Sequence, residues 1–462
     1  MISQLKQAAS SLNSLCRLWR QPDRLLWMLL SVTVAVTIVF ISSAPSAQTL
    51  NEQILTMETG LEQEFETYFD ADLATVTQSA PEIAQTLSRL DLETGTKSAV
   101  MWVIPKGNHL RLVLTTPKHE AVVRTRYDVP DTVLQTTVNR FFQEVLRPSR
   151  RSDYPAAQQL YEWIVTPFEA DFLEPEGVDT ILFCLGNGLR GLPLSALYDG
   201  NSFLIEKYSL TRIPAFNLIQ TDYKAFTDSQ FLAMGASEFE NLSPLPAVPI
   251  EIDSISQILQ APENGSDWQG KTFLNSQFTL AALQTAVSNQ SPDLVHLATH
   301  AAFAPGTPKN SYVQLWDQKL LLDDMDTVNW ASPALELLVL SACQTAIGDS
   351  QAELGFAGVA LKAGVKSAVA SLWQVSDLGT LVLMSEFYQQ LEVAATKAEA
   401  LRQAQLSMLR GEVGYRDNTL LLSRGSLAIT SELSTPAISS NAAETFASPY
   451  YWAGFTMISS PW

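Results

Sequence analysis

Near-continuous apolar runs, separated by segments with helical periodicity, constrain the fold of this chain more than any other feature. Five such runs occur from residue 180 onward. They are typical of buried parallel strands, because both faces of a parallel sheet are covered. The alternation with helical segments predicts an α/β fold with a mostly parallel sheet and helices on both faces. The predicted strands are 180–185, 231–235, 293–300, 336–343 and 367–373.

The region before this sheet divides into two predicted segments. Residues 48–90 carry many Glu and Asp residues between apolar positions, which favours an acidic helical stalk with a solvated face. Residues 91–155 predict a β-hairpin, with a turn that contains Pro105 and Gly107, followed by a helix. The remainder, 156–462, is predicted as the main domain.

The N-terminal segment, 1–47, has the pattern of a membrane-targeting helix. Four basic residues precede the uncharged apolar run 25–41, and small residues follow it. The pattern predicts either a signal peptide or an uncleaved membrane anchor, with a buried core helix as a third alternative. Both main alternatives place the rest of the chain on the outer side of a membrane, in the periplasm or an equivalent lumen.

Composition excludes some classes of function. The 462 residues include 48 Asp and Glu against 29 Lys and Arg, a formal net charge of -19, which argues against a nucleic-acid partner. The three cysteines, Cys16, Cys184 and Cys343, form neither a disulfide framework nor a metal cluster. A disulfide between Cys184 and Cys343 stays open, since an oxidising compartment would permit it.

One apolar run ends at His300 and the next at Cys343. Because the carboxyl ends of parallel strands meet at one crevice, these residues are candidates for a catalytic dyad. A cysteine thiolate is the nucleophile in such a site, and His300 would act as general base or acid. The backbone amides of Cys343 and Ala301 are candidate oxyanion donors, on the expectation that the chain leaves the strands there. The alternative is that Cys343 is a small buried hydrophobe, and we expect His296 to be a core histidine.

Five motifs in order along the chain carry a family resemblance. VHLATH ends at His300, and LVLSACQT contains Cys343. GVKSAVASLW precedes Asp377, PYYWAGF lies near the C terminus, and LRGLPLSALY lies upstream of the others. Together these motifs, over about 160–462 and with 91–155 as the N-terminal part of the region, resemble the CHAT domain family.

The resemblance implies a caspase-like α/β fold of the caspase and separase clan, with a dyad at Cys343 and His300. It also implies that the loop 344–352 is the rim of the substrate site, and that the site needs no cofactor and no metal. Gly355 and Gly358 would allow a helix to pack closely on the sheet. The substrate pocket would then be lined by an acidic or polar group, with these candidates: Asp377, Asp349 and Gln344. Asp377 and Asp349 have an alternative role as helix caps.

Two departures from the family pattern bear on function. Ala301 stands where the family usually has glycine, and the chain shows no tetratricopeptide repeats that would recruit partners. Two hypotheses follow. In the first, the chain is a cysteine endopeptidase that cleaves protein or peptide substrates. Its further partners would be an activating protein and, if the anchor is uncleaved, a membrane. Alternatively, it is a catalytically silent interaction or regulatory module.

Overall fold

The computed structural model describes residues 50–73, 76–149, 153–226, 229–260, 268–330, 334–429 and 446–462, and of residues 342–344 the backbone alone. The predicted targeting segment, 1–47, lies outside these ranges. None of the described helices has both the length and the apolar composition of a membrane-spanning helix.

A thirteen-stranded sheet runs through the described part of the chain. Its strands are β1 (Ser98–Pro105), β2 (Leu110–Thr115), β3 (Val122–Arg126), β4 (Thr180–Leu185), β5 (Ser209–Ile213), β6 (Gln230–Gly235), β7 (Gln269–Leu274), β8 (Leu294–Phe303), β9 (Tyr312–Gln314), β10 (Lys319–Leu321), β11 (Leu337–Thr345), β12 (Ser367–Ser371) and, after a smaller sheet described below, β16 (Phe455–Ser459).

The strand order is β10-β9-β8-β11-β12-β16-β5-β4-β1-β2-β3. Outside this order, β6 pairs with β8 and also with β7. The pairs of β8 with β6 and β11, and of β11 with β12, are parallel, as are β6 with β7, β1 with β4, β4 with β5, and β5 with β16. Antiparallel pairs occur mainly toward the edges and at β16. The fold is therefore mixed α/β with a mostly parallel central sheet, and the five predicted strands are β4, β6, β8, β11 and β12.

The helices cover both faces of this sheet, since consecutive side chains of β8 such as Val295, His296 and Leu297 are all fully buried. The helices are α1 (Leu50–Phe69), α2 (Ala80–Thr94), α3 (Asp131–Val145), α4 (Pro155–Ile164), α5 (Leu204–Lys207), α6 (Val248–Gln260), α7 (Leu280–Gln290), α8 (Ser350–Ala357), α9 (Val359–Ala363), α10 (Asp377–Leu391), α11 (Lys397–Arg410) and α12 (Pro449–Trp452). Shorter helical turns, among them a π-helical turn at Glu169–Leu173, connect these elements.

The first two helices are not a solvated stalk. Apolar residues of α1, including Phe65 and Phe69, recur on one helical face and belong to the common hydrophobic core. Even the acidic Glu58 on this face is fully buried, and it accepts hydrogen bonds from Trp102 Nε1 at 2.6 Å and from the amide of Asn217 at 3.0 Å. Burial raises the pKa of Glu58 to about 7.

The predicted hairpin is present as β1 and β2, but it does not form a separate unit. β1 pairs with β4 and so joins the hairpin to the main sheet, and β3, which was not predicted, extends it. Residues Leu50–Trp462 form one compact unit. The predicted segments 48–90, 91–155 and 156–462 therefore contribute to a single core.

The C-terminal region differs in detail from what its residues predict. The apolar and aromatic run 450–458 predicts a last strand. The structure has helix α12 followed by strand β16, because Pro449 begins a helical turn capped by the Ser448 side chain. A small antiparallel sheet precedes it, with strands β13 (Gly414–Arg416), β14 (Thr419–Leu422) and β15 (Gly425–Ala428). The Ser- and Thr-rich composition of 423–448 predicts a loop, but this segment contains β15, and 430–445 lie outside the described residues.

Candidate active site

The strands that carry the two candidate catalytic residues are neighbours in the sheet. β8 and β11 pair in parallel, so their carboxyl ends lie at the same edge, with β12 on the far side of β11. The register sets His300 beside Ala342 and Ala301 beside Cys343. The backbones of His300 and Cys343 are therefore on adjacent strands and one residue apart in register.

A bulge in β8 lies directly before His300. Between the pairs Leu297 with Leu340 and His300 with Ala342, β8 has two residues where β11 has one. A bulge bends its strand and redirects the side chains that follow, and bulges are frequent beside active sites. In an unbroken register His300 would pair with Cys343 and share its face of the sheet, whereas the bulge pairs His300 with Ala342 and Ala301 with Cys343.

The His300 ring is held by the loop that connects β6 to α6. Its Nε2 lies 2.8 Å from the carbonyl oxygen of Ser243, and the ring packs on Phe239 with the centroids 4.8 Å apart. Because a carbonyl can only accept, Nε2 carries a proton. In neutral His300 the lone pair is thus on Nδ1, which accepts no hydrogen bond from any described residue. This tautomer suits a general base.

This orienting group was not predictable from the residue types. The acceptor is a main-chain carbonyl, which every residue has, so no residue type marks it. The only signal was indirect, because Pro244 and Pro246 predict an irregular segment between β6 and α6.

Both strands continue beyond the candidate residues. β11 ends at Thr345 rather than at Cys343, and β8 ends at Phe303 rather than at His300. Ala301 pairs with Cys343 on one side and with Val313 of β9 on the other. The chain therefore does not leave the strands at Ala301 and Cys343, which was the reason for choosing their amides, and their role as oxyanion donors stays a prediction.

Two of the three predicted pocket residues lie close to the candidate nucleophile in sequence. Asp349 is the N-cap of α8, and its carboxylate accepts from the amides of Gln351 and Ala352 at 3.0 and 2.9 Å. Its position is thus explained by helix capping rather than by a pocket. Gln344 is described by its backbone, which pairs with Ala302 of β8.

Asp377, the third predicted pocket residue, is half-buried at the start of α10. It is not the N-cap, because the Ser376 side chain caps the helix by accepting from the amide of Gly379 at 3.0 Å. Asp377 Oδ2 instead accepts from the amide of Ala247 at 2.7 Å. Burial, with a further contribution from the Glu251 charge, raises the pKa of Asp377 to about 6.

His296 is a core histidine, as the sequence predicted. It is fully buried, with Nδ1 at 3.0 Å from the Tyr388 hydroxyl and Nε2 at 3.0 Å from Oε1 of Glu251. Burial and the Glu251 charge keep the pKa of Tyr388 well above its usual value, so the hydroxyl remains a donor. The Tyr388 hydroxyl donating to Nδ1 leaves the proton on Nε2, which is close to Glu251 Oε1 but does not meet hydrogen-bond geometry with it.

A disulfide between Cys184 and Cys343 is incompatible with the sheet order. β5, β16 and β12 lie between β4 and β11, which separates the two cysteine backbones by about 19 Å. A disulfide requires Cα atoms within about 7 Å. Cys184 is a free, fully buried thiol, and burial raises its pKa well above the usual value.

The model of the CHAT domain matches residues 154–460, about two thirds of the chain. The chain belongs to the CHAT domain family. The match begins before β4 and includes β8, β11 and β12 with the candidate site.

Solved structures resemble this CHAT protein only distantly. The separase–securin complex of Saccharomyces cerevisiae matches at 11% identity and a TM-score of 0.46, over 92% of this chain and 35% of that chain. The Arg-specific cysteine proteinase gingipain R matches at 11% identity and a TM-score of 0.41, over 80% and 78% of the two chains. A complex of the pro- and mature domains of Porphyromonas gingivalis RgpB matches at 12% identity and a TM-score of 0.37, over 78% of each chain. The CHAT protein thus spans about a third of the separase chain. No curated protein matches it.

The loop that follows Cys343 in this CHAT domain is fastened by a buried carboxylate. Glu353 Oε1 accepts from the amide of Gly348 at 3.0 Å, and the carboxylate also accepts from the amide of Gly191. Gly191 is required here, because a Cβ atom at this position would lie 2.8 Å from Glu353 Oε1. Burial raises the pKa of Glu353, while the two amides and the charges of Arg190 and Arg212 oppose the shift.

Helix α1, which lies outside the matched region, packs on α8, the helix that follows this loop. A Cβ atom at Gly358 would lie 2.5 Å from the Phe69 ring, and one at Gly355 would lie 2.8 Å from the Tyr68 hydroxyl oxygen. The two glycines therefore permit a close approach of α1 to α8, and Gly355 also lies against the sheet, since an added Cβ would be 3.6 Å from the Phe303 ring of β8. Arg190, which is 2% exposed, also forms an ion pair with Glu64 of α1. The CHAT fold of this chain thus includes a helix that precedes the family match.

Proposed function

We propose that this CHAT protein is a cysteine endopeptidase that cleaves protein substrates with Cys343 as nucleophile and His300 as general base and acid. The observation that carries the proposal is the fixed tautomer of His300. Because Nε2 of His300 donates to the Ser243 carbonyl, Nδ1 is the basic atom of the ring. His300 lies on β8, the strand that pairs with the Cys343 strand β11.

The proposed reaction has two steps. The Cys343 thiol transfers its proton to Nδ1 of His300, the thiolate attacks the peptide carbonyl, and the C–N bond breaks as His300 returns the proton to the leaving amine. Water, deprotonated by His300, then attacks the thioester, releases the carboxylic acid and regenerates the thiol. The Ser243 carbonyl stabilises the imidazolium that forms in each step by accepting from its Nε2 proton.

A second function, a catalytically silent interaction module, is favoured by one observation. Ala301 and Cys343 lie within paired strands rather than at strand ends, so the position of their amides does not by itself support them as oxyanion donors. Removal of a single oxyanion donor costs about 10²–10³ in rate in other proteases, so a site that lacks such donors would be slow.

We propose further that the domain acts on the outer side of a membrane, as an exported or anchored protein. This part of the proposal rests on the basic residues and the apolar run within 1–47.

Alkylation of Cys343 tests the proposal without a known substrate. The full chain, with Cys16→Ser and the buried Cys184 retained, is treated with an iodoacetamide probe at pH 7, and labelled sites are located by peptide mass spectrometry. We expect His300→Ala to slow labelling of Cys343 by about tenfold, because a thiol of ordinary pKa is only a few per cent thiolate at this pH. A peptide-library digest should show cleavage that Cys343→Ala abolishes. A Cys343 that reacts like a free thiol, with no effect of His300→Ala, would exclude the dyad.

A disulfide trap tests whether the two side chains face one cleft. Neighbouring strands lie about 4.8 Å apart, within the range that a disulfide spans. If positions 300 and 343 share one cleft although Ala301 is the register partner of Cys343, His300→Cys should cross-link to Cys343 under mild oxidation. Ala301→Cys, at the register partner of Cys343, is the matched control and should not. The reverse result would place His300 and Cys343 on opposite faces of the sheet.

A further inference from the structure

The loop that orients His300 is fastened at its two ends. Near its start, the Ser237 amide donates to Asn275 Oδ1 at 2.8 Å, and the Leu245 amide donates back to the Ser237 carbonyl at 2.9 Å. At its end, the Ala247 amide donates to Asp377 Oδ2 at 2.7 Å. The Ser243 carbonyl, which receives the His300 proton, lies between these points.

The attachment at Asp377 joins the loop to a different part of the fold. Asp377 begins α10 after strand β12, whereas Ala247 directly precedes α6 and its carbonyl accepts from the Glu251 amide in the first turn of that helix. One carboxylate oxygen therefore connects the chain after β12 to the loop that contacts the histidine of β8. Asp377 is half-buried, so water competes only in part with this bond.

This use of the carboxylate differs from that of a specificity residue. A carboxylate that recognises a basic substrate side chain presents its oxygens to the ligand, often both at once. Oδ2 of Asp377 already accepts a main-chain amide at a short distance. The bond satisfies an amide that helix α6 cannot satisfy, since it lies at the N terminus of the helix.

We infer that Asp377 is a positioning residue for His300: by holding the Ala247 amide, it keeps the Ser243 carbonyl at Nε2 of the histidine. The inference rests on the proposed function, because positioning matters only if His300 acts on Cys343. Without the Asp377 bond, the segment between Ser243 and Ala247 loses its attachment to α10. The Ser243 carbonyl then no longer selects the tautomer that leaves Nδ1 basic, and His300 becomes a poorer base.

Substitutions at Asp377 separate positioning from substrate recognition. Asp377→Ala removes the acceptor for Ala247, whereas Asp377→Asn removes the charge but keeps an amide oxygen that can accept. Asp179→Ala is the matched control, because half-buried Asp179 accepts the Lys97 amide at 3.0 Å in the same way, directly before β4 at the amino end of the sheet. All variants are made in the full chain with Cys16→Ser, and thermal unfolding verifies that each is folded.

The readout is the rate of Cys343 alkylation, together with kcat and KM on any peptide that the library digest identifies. We expect Asp377→Ala to slow alkylation about as much as His300→Ala, roughly tenfold, and Asp377→Asn to recover most of the loss. Asp179→Ala should alkylate at the parent rate. With a cleaved peptide, Asp377→Ala should lower kcat more than it raises KM, with the same preference for the residue before the cut.

The outcomes distinguish this inference from the proposed function. If His300→Ala slows alkylation but Asp377→Ala does not, the inference is overturned and the dyad stands. If both Asp377 variants alkylate at the parent rate and both lose a preference for basic residues, Asp377 is a specificity residue instead. If His300→Ala has no effect, the proposed function fails and this inference fails with it.

Discussion

Two stretches of β8, only four residues apart, use a histidine in opposite ways. His296 lies inside the sheet, is fully buried, and has a side chain at each ring nitrogen, Tyr388 at one and Glu251 at the other. His300 lies at the carboxyl end, is half-buried, and is held through one nitrogen by a main-chain carbonyl. Both positions follow from the same apolar run.

The difference shows what each environment permits. A buried carboxylate needs a partner, so Glu251 and His296 stabilise each other and neither is accessible to a ligand. At the strand end a main-chain acceptor fixes the ring without placing a negative side chain against it. The second nitrogen thus stays available for proton transfer, which is the property that a catalytic base needs.

The largest expected effect concerns stability and separates the two histidines. His296→Ala would leave Glu251 buried without its partner, and we expect a loss of about 3–5 kcal/mol in the free energy of unfolding. His300→Ala removes a half-buried ring whose partner is a carbonyl near the surface, and we expect a loss of about 1 kcal/mol or less. Urea unfolding of the two variants at pH 7, alongside the parent, measures both values.

A double variant tests the physical reason. Replacing Glu251 by Gln in the His296→Ala protein removes the buried charge, so it should recover part of the stability that His296→Ala loses. If His296→Ala and His300→Ala destabilise the chain equally, the distinction between an interior and an available histidine is wrong.

Glu58 extends the comparison to a buried acid that has only neutral donors around it. Its pKa in the folded chain, about 7, lies above the value of about 4.3 expected for an unfolded chain. The folded state therefore binds more protons between these values, so its advantage is complete below about pH 4 and is lost as the pH rises through 7. A shift of this size corresponds to about 4 kcal/mol.

We accordingly expect the free energy of unfolding of the parent to fall between pH 5 and pH 8, and Glu58→Gln to lack this part of the slope. Urea unfolding across the range measures the difference between the two proteins. Asp377, whose pKa is about 6, contributes a slope of the same sign in both proteins and cancels from the comparison. Identical slopes would show that Glu58 does not titrate in this range.

The sequence predicted the fold where the physical signal is local. Strands such as β4, buried on both faces, must be continuously apolar, and this pattern is legible without a structure. The His300 and Cys343 positions followed from the ends of two such runs. The bulge in β8 was not predictable, because an extra residue leaves the apolar pattern of the run unchanged.

The contacts around the site escaped prediction for a different reason. Ser243 acts through its carbonyl, and Asp377 binds a main-chain amide 130 residues away, so neither leaves a pattern in the residue types. Helix α1 was misassigned because Glu residues are normally solvated, whereas Glu58 is buried against Trp102. Long-range contacts with main-chain groups are thus the part of this site that requires a structure.

The smallest expected effect tests whether α1 supports the carboxyl end where His300 lies. Gly358→Ala would place a Cβ atom 2.5 Å from the Phe69 ring and force α1 away from the region after Cys343, which we expect to cost about 1–3 kcal/mol. Gly60→Ala is the matched control, since Gly60 lies in α1 with no atom within 4 Å of an added Cβ, and alanine should be neutral or stabilising there by up to about 1 kcal/mol. Urea unfolding gives both values, and Cys343 alkylation shows whether the displacement reaches the site. If α1 is a support, Gly358→Ala slows alkylation and Gly60→Ala does not, whereas equal rates would confine the role of α1 to stability.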